Sequence, residues 1–159
     1  MRRNVLALLS ILAVCSLFGL RAPSSNAPMD LSQPLSIHKI SLGEGFARAE
    51  NLKSSIPFWE FPIGCSLAQI YLIPADGEKV ATVTGFSIEQ GASRLPSGVL
   101  NGEVSKLLGP PARASSRRDL QVWEYPTRAA SGEAAVLEVF FDHTLLGETY
   151  VCSYALSLI

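Results

Sequence analysis

The tetrapeptide WEFP, at residues 59–62, returns almost unchanged as WEYP at residues 123–126. In both copies a glutamate lies between two aromatic residues and a proline follows, a pattern typical of a short strand that ends at a sheet edge. A step of this kind that occurs twice in one chain predicts two structurally equivalent units. The flanking sequence supports this interpretation, because similar patterns surround both copies.

Each tetrapeptide is followed by the pattern of a β-hairpin. Residues 66–86 alternate polar and apolar side chains on both sides of Asp76-Gly77, a dipeptide that favours tight turns. Residues 135–154 alternate in the same way on both sides of Asp142, which is a weaker turn signal. The apolar positions of the two segments coincide when the segments are aligned, so we expect two similar hairpins.

Helical patterns precede both hairpins. Apolar residues recur at helical spacing between Leu100 and Leu108, and Gly109 follows as a stop signal. Residues 43–57 carry a looser version of this pattern, which predicts a weaker helix.

Together these elements predict an α+β fold built from two tandem αββ-type units. The first unit spans residues 37–90 and the second spans residues 91–159. Neither unit alone can bury much apolar surface. We therefore expect the two units to share one antiparallel sheet, with the helices packed on one face of it.

Residues 1–27 have the organisation of a secretory signal peptide. Two arginines precede an apolar run from Val5 to Leu20. A helix of that length would reach only about 24 Å, which is less than the roughly 30 Å hydrocarbon core of a membrane. We therefore predict an exported protein that is periplasmic, attached to the cell envelope or secreted, with an uncleaved anchor as the alternative. Residues 28–36 are rich in proline and serine and are interpreted as a linker.

The N-terminal segment contains one cysteine, Cys15, within the sequence LAVC. This stretch resembles the lipobox at which bacterial lipoproteins are lipidated on cysteine. Lipidation would tether the exported chain to a membrane, whereas the alternative is that Cys15 is one more apolar residue of the signal. Contact with a membrane is expected only through such a lipid or through a retained signal anchor.

Two cysteines follow the signal segment, Cys65 and Cys152. An even pair of cysteines in an exported chain predicts a disulfide, because the compartment is oxidising. The alternative is a pair of buried free thiols.

A family resemblance emerges in the second half of the chain. Residues 98–111, GVLNGEVSKLLGPP, resemble the G-x-T-x-x-E-V-x-x-L-L-G-x-P helix signature of the SmpA/OmlA (BamE-like) domain. The stretches VWEYP and VFFDHTLL stand where that family has a Trp-x-Tyr strand and a hairpin turn, so the resemblance covers about residues 98–152. Doubled, the pattern is similar to the tandem architecture of BLIP-type β-lactamase inhibitory proteins. The resemblance implies a binding module that lays an antiparallel sheet over helices and grips a partner protein with the open sheet face.

Groups that could perform chemistry are few. The two histidines, His38 and His143, lie in no metal-ligand pattern, and the chain contains no GxSxG, P-loop or GxGxxG motif. A net charge of −1 gives no electrostatic signal for nucleic acid. We therefore predict a chain that is not an enzyme and that uses no cofactor or metal. A small hydrolase or ligand carrier is the remaining alternative.

Binding to another protein is the expected function, and six aromatic residues are its candidate contacts. Two of them, Tyr71 and Phe140, lie on the strand face opposite the predicted core. The other four belong to the repeated tetrapeptides, where they lie either in the core or at an exposed interface. These four are Trp59, Phe61, Trp123 and Tyr125. The leading hypothesis is an exported protein-binding or scaffold module of the bacterial cell envelope; the alternative is a secreted inhibitor that plugs an enzyme cleft.

Overall fold

The computed structural model describes residues 26–62, 65, 69–76 and 78–159. The predicted apolar signal run and the candidate lipidation residue Cys15 lie outside the described residues. None of the helices within the described ranges is long and apolar enough to cross a membrane.

Strands dominate the described part of the chain. In chain order they are β1 (Ser36–Ile37), β2 (Ile40–Ser41), β3 (Leu72–Ala75), β4 (Lys79–Gly85), β5 (Ser87–Gln90), β6 (Ser93–Pro96), β7 (Arg113–Arg117), β8 (Leu120–Arg128), β9 (Ala134–His143) and β10 (Thr149–Leu158). The helical elements in these ranges are α1 (Phe46–Ser54), a 3₁₀ turn (Phe58–Glu60) and α2 (Asn101–Leu108).

Six of the strands form one antiparallel sheet in the order β3-β4-β10-β9-β8-β7. Strand β9 shows why these segments form a sheet with a covered face, since its side chains alternate between fully buried and half-buried along the strand. The buried set is Ala135, Leu137, Val139 and Phe141. The central strand β10 is buried over six consecutive residues, Val151 to Leu156.

A second antiparallel sheet, in the order β2-β1-β5-β6, covers the inner face of the larger one. Its isoleucines and leucine join the same hydrophobic core as the inner residues of the larger sheet. Those side chains are Ile37, Ile40, Ile88 and Leu95. The helices close the margins of this core through one buried residue of α1 and three of α2, namely Ala49, Val104, Leu107 and Leu108.

The chain passes from the larger sheet to the smaller one at Gly85. This residue ends β4, and β5 begins two residues later. A Cβ atom at Gly85 would lie 2.5 Å from Ile37 Cγ2 and 2.7 Å from His38 Cδ2, so β1 crosses too close for any side chain. Gly85 pairs with Tyr154 of β10, whose ring therefore packs over a strand position without a side chain.

The predicted α+β fold with helices packed on one sheet face is wrong. A second sheet, rather than a helical layer, covers the larger sheet. The prediction of two tandem αββ units sharing one sheet is wrong for the same reason, and the repeated tetrapeptides have unlike conformations. Trp59 lies in a 3₁₀ turn and Trp123 lies within a long strand.

The difference between the tetrapeptides has a local physical cause. The first tetrapeptide ends in Pro62 and Pro57 lies two residues before it, and two prolines so close together disfavour a strand ladder across the segment. In WEYP, Pro126 lies beyond the last residue of β8 that pairs with β7, which is Glu124. The missing N–H of Pro126 therefore interrupts no pairing on that side of β8.

The local predictions agree better with the structure. Both predicted hairpins are present, as β3–β4 and β9–β10, and both predicted helices are present. The second hairpin turns after Asp142, through residues 144–148 with Gly147 at φ +82°. Residues 28–36 lie against the fold, where Met29 and Leu35 are buried.

Replacing Gly85 with alanine should destabilise the fold. We expect the free energy of unfolding to fall by about 2 to 3 kcal/mol, because the added methyl group forces the end of β1 and the β1–β2 turn away from β4. Urea denaturation followed by circular dichroism measures this change. Gly102→Ala is the matched control, since Gly102 lies in α2 with nothing within 4 Å of its would-be Cβ. That control should leave stability equal or slightly higher. Equal stability of Gly85→Ala and the wild-type protein would contradict the close crossing.

Candidate protein-binding surface

The exposed large apolar side chains of the described residues include three aromatic residues in and directly after the 3₁₀ turn. Phe58 is 81% exposed, Trp59 is 73% exposed and Phe61 is 39% exposed. We call Phe58–Phe61 the aromatic segment. Its backbone is closed by hydrogen bonds from Glu60 N–H to Pro57 O at 3.0 Å and from Phe61 N–H to Phe58 O at 3.2 Å. The turn therefore holds the rings of Phe58 and Trp59 outward, 5.3 Å apart in an edge-to-face arrangement.

The aromatic segment is attached to the fold through Phe61. The Phe61 ring lies 4.8 Å from the ring of Phe86, the residue at which the chain changes sheets. Phe86 is buried in a small hydrophobic cluster with Ile70, against which Ile56 and Cys65 also pack. The half-exposed Phe61 thus links the exposed rings to a buried cluster.

A second attachment is covalent. The sulfur atoms of Cys65 and Cys152 are in contact and their Cα atoms are 5.6 Å apart, the spacing of a disulfide. The register of β9 with β10 shifts between Val151 and Ser153, so Cys152 is the extra residue of a β-bulge. The chain that follows the aromatic segment is therefore held at the central strand of the larger sheet.

The outer face of the larger sheet carries the predicted contact Tyr71 near one edge. Tyr71 is 55% exposed, and its N–H donates to Thr84 Oγ1 at 2.9 Å. The Thr84 hydroxyl in turn donates to the Gln69 carbonyl at 2.9 Å, while the Tyr71 hydroxyl contacts the Gln69 side chain. These bonds fix Tyr71 at the start of the β3–β4 hairpin.

A cluster of charged side chains covers the other half of the outer face. Arg117 Nη2 lies 2.6 Å from Glu138 Oε1 and 3.4 Å from Glu124 Oε1, across three neighbouring strands. Phe140 pairs with Val122 beneath this cluster and is half-buried. The outer face therefore presents Tyr71 to solvent more fully than it presents Phe140.

Trp123 and Tyr125, the aromatic residues of the second tetrapeptide, belong to the interior. Trp123 packs against the core with its ring 4.6 Å from that of Phe141. Tyr125 is fully buried and its hydroxyl donates to Gly109 O at 3.2 Å, which joins β8 to the end of α2. Burial raises the pKa of Tyr125 well above its usual range. Tyr125 is therefore enclosed by the fold, whereas Trp123 remains partly exposed.

Sequence reasoning missed three exposed apolar residues. Phe58 is the most exposed ring of the aromatic segment, and Leu145 and Leu146 are almost fully exposed at the tip of the β9–β10 hairpin. A signal for the leucines was present, because two consecutive leucines directly before a glycine turn have no strand face to occupy.

His143 lies at the end of β9 beside a shallow cleft of about 430 Å³, lined in part by Ser115, Ser116 and Asp119. Its ring Nδ1 is 3.1 Å from Thr149 Oγ1. Within the described residues no carboxylate is hydrogen bonded to this ring, and no group of three or more histidine, cysteine, aspartate or glutamate residues could hold a metal ion.

His38 lies next to the buried cluster that anchors the aromatic segment. Its ring is 4.2 Å from the ring of Phe86, and its Nε2 accepts the Phe86 N–H at 3.2 Å. Burial, together with the nearby Arg94 guanidinium, lowers the pKa of His38 to about 4 from an ordinary 6.5. The imidazole is therefore neutral at physiological pH and can serve as a hydrogen-bond acceptor.

This shift makes stability depend on pH. Between pH 6.5 and 4 the unfolded chain binds a proton at His38 that the folded chain does not. The contribution of His38 to stability is therefore fully present above pH 6.5 and is lost as the pH falls towards 4. We expect His38 to account for a loss of about 2 kcal/mol in the free energy of unfolding between pH 7 and pH 4. Denaturation at both values measures it.

His38→Asn should flatten the pH dependence by that amount, since asparagine tolerates the backbone conformation of this residue. His143→Asn is the matched control and should keep the wild-type pH dependence. Equal slopes for the two variants would contradict a buried neutral His38.

Reduction of the disulfide should also lower stability. Closing a loop across a sequence separation of 87 residues predicts a loss of about 3 to 5 kcal/mol on reduction. Urea denaturation with and without a reducing agent measures the change. The double variant Cys65→Ala, Cys152→Ala is the control, because reductant should no longer affect it; no effect on the wild-type protein would mean that the pair is not bonded.

Comparison with protein-family models, with curated proteins and with solved structures finds no match to this chain.

Proposed function

We propose that this chain is a non-enzymatic protein-binding module that is exported and acts in the bacterial cell envelope, with the aromatic segment as its main contact. The observation that carries the proposal is the exposure of Phe58 and Trp59 in a fixed turn. Exposing two adjacent large rings is unfavourable in water, and such residues are enriched at the centres of protein interfaces.

The attachment of the segment supports this role. Phe61 packs on Phe86, and Glu60 lies 3.7 Å from Arg94. A contact that is held in place before binding loses less conformational entropy when the partner arrives. The charged pair beside the rings supplies the polar rim that surrounds most interface centres.

The expected partner is a protein with an apolar pocket that accepts an indole and a phenyl ring. Truncating a buried interface tryptophan commonly weakens binding by 2 kcal/mol or more, which is roughly 30-fold. We therefore expect the double variant Phe58→Ser, Trp59→Ser to bind such a partner at least about 30-fold more weakly. Its fold should be unaffected, because both side chains are exposed.

The test uses the full exported chain with a photo-crosslinking phenylalanine analogue in place of Trp59, incubated with envelope fractions. The crosslinked protein is identified, purified and titrated against wild type and the double variant by calorimetry. Leu145→Ser, Leu146→Ser is the matched control, since it removes two exposed apolar side chains elsewhere. Equal affinity of the Phe58/Trp59 variant and the wild-type chain would overturn the proposal.

A second candidate function is a secreted inhibitor, and the β9–β10 hairpin favours it. Its tip carries the exposed pair Leu145 and Leu146, beyond the last paired residues of β9 and β10. A convex apolar tip fits an enzyme cleft better than a flat surface does. Loss of binding in the leucine variant alone would favour this function over the envelope module.

A further inference from the structure

A small polar cleft lies where the β1–β2 turn, the end of α1 and the edge strands of the smaller sheet meet. Its volume is about 280 Å³. The charged side chains that line it are Lys39, Glu60, Glu89 and Arg94, and the uncharged polar ones are His38 and Ser55. Only Glu60 belongs to the aromatic segment, so the cleft is distinct from the proposed protein contact.

His38 supplies a buried donor to this cleft. Its Nε2 accepts the Phe86 N–H, so in the neutral ring the proton resides on Nδ1. The residue is only 7% exposed, and among the described residues Nδ1 has no hydrogen-bond partner. His38 lines the cleft, so Nδ1 is the donor that its ring can offer to a ligand there.

The backbone of this turn is strained. His38 has φ +51° and Lys39 has φ +65°, in the left-handed region that non-glycine residues rarely adopt. Glycine or asparagine would form the same two-residue turn at lower cost. Consecutive strained residues whose side chains both line one cleft are typical of functional sites.

The charges of the cleft balance. Arg94 lies between two carboxylates, 3.7 Å from Glu60 and 3.7 Å from Glu89, and its Nε donates to the buried Ser87 hydroxyl at 2.8 Å. Lys39 adds a second cation and forms no ion pair with the described residues. Two cations and two carboxylates give a doubly charged anion such as phosphate no net attraction and match a ligand that carries one charge of each sign.

We propose that this cleft binds an α-amino acid with an apolar side chain, either free or at the end of a short peptide. The carboxylate of the ligand accepts from His38 Nδ1 and pairs with Lys39. Its ammonium group pairs with Glu60 and Glu89. The apolar side chain packs on the apolar part of the wall, which consists of Leu52, Ile56 and Pro57.

The size of the cleft agrees with such a ligand. Pockets for drug-sized molecules measure about 300 to 1,000 Å³, and this cleft lies just below that range at about 280 Å³. A single amino acid or a dipeptide therefore fits, whereas an extended peptide would have to leave the cleft. This site goes beyond the proposed protein contact and does not depend on it.

The test is a nuclear magnetic resonance titration of the isotope-labelled protein with L-leucine, following the His38 ring nitrogens and the Lys39 amide. We expect saturable shifts of both signals. N-acetyl-leucine lacks the ammonium group and leucinamide lacks the carboxylate, so each should bind about tenfold more weakly, as expected for the loss of a charge-assisted hydrogen bond. Glycyl-leucine distinguishes the two sources of the ligand, because comparable binding of this dipeptide indicates a peptide end.

Lys39→Gln should weaken leucine binding by about three- to tenfold with an otherwise unchanged spectrum, since Lys39 is exposed. Lys106→Gln is the matched control, because Lys106 is exposed on α2 away from the cleft, and should leave the affinity unchanged.

The proposal is overturned if neither leucine nor glycyl-leucine saturates, if N-acetyl-leucine binds as tightly as leucine, or if the two lysine variants behave alike. Binding to the Phe58/Trp59 variant should be retained, so failure of this site and failure of the protein contact are separate results.

Discussion

The close crossing of β1 over β4 is the constraint on which the rest of the structure depends. Gly85 offers no Cβ at that point, so Ile37 and His38 can approach the β4 backbone. The chain can then turn out of the larger sheet and begin β5 within two residues. Because both sheets contain segments of this one continuous run, they close over a common core, and Phe86 is left between them.

Phe86 in turn organises the surface. On one side its ring contacts Phe61 and so positions the aromatic segment, and on the other it contacts His38 and so positions the polar cleft. The contributions to this arrangement are unequal. An exposed ion pair such as Glu60 with Arg94 contributes about 0 to 1 kcal/mol, an aromatic pair about 0.5 to 1.5 kcal/mol, and a disulfide typically about 2 to 4 kcal/mol. The covalent link and the ring contacts therefore determine where the aromatic segment lies.

Local sequence patterns could predict the hairpins and helices but not the way they assemble. Helix α2 and the β9–β10 hairpin carry their own periodicity, so the sequence identifies them. Strands β1 and β2 have two residues each, which is too short for any periodic signal, and they exist because Ile37 and Ile40 pair and are buried by tertiary contacts. The part of the second sheet that β1 and β2 form could not be predicted for that reason.

The candidate contacts illustrate the same limit. Trp59 and Trp123 have almost identical neighbours in the sequence, yet one is exposed and the other packs on the core. The difference arises because Trp123 lies where β8 is paired with both β7 and β9, whereas Pro57 and Pro62 keep the first tetrapeptide out of any ladder. Burial of an aromatic residue is therefore decided by the strands beside it, which a local repeat does not encode.

Glu60 connects the two proposed sites. It lies within the aromatic segment, lines the polar cleft and pairs with Arg94 at 3.7 Å. A ligand ammonium group that pairs with Glu60 competes with Arg94 for the same carboxylate, so it alters one of the contacts that hold the segment. Thermodynamic linkage requires the effect to be reciprocal: a partner that displaces Glu60 from the cleft weakens ligand binding by the same factor by which the ligand weakens the partner. Because the ion pair is exposed, this coupling should be small, about 1 kcal/mol or less, whereas a larger coupling would require movement of Phe61 on Phe86.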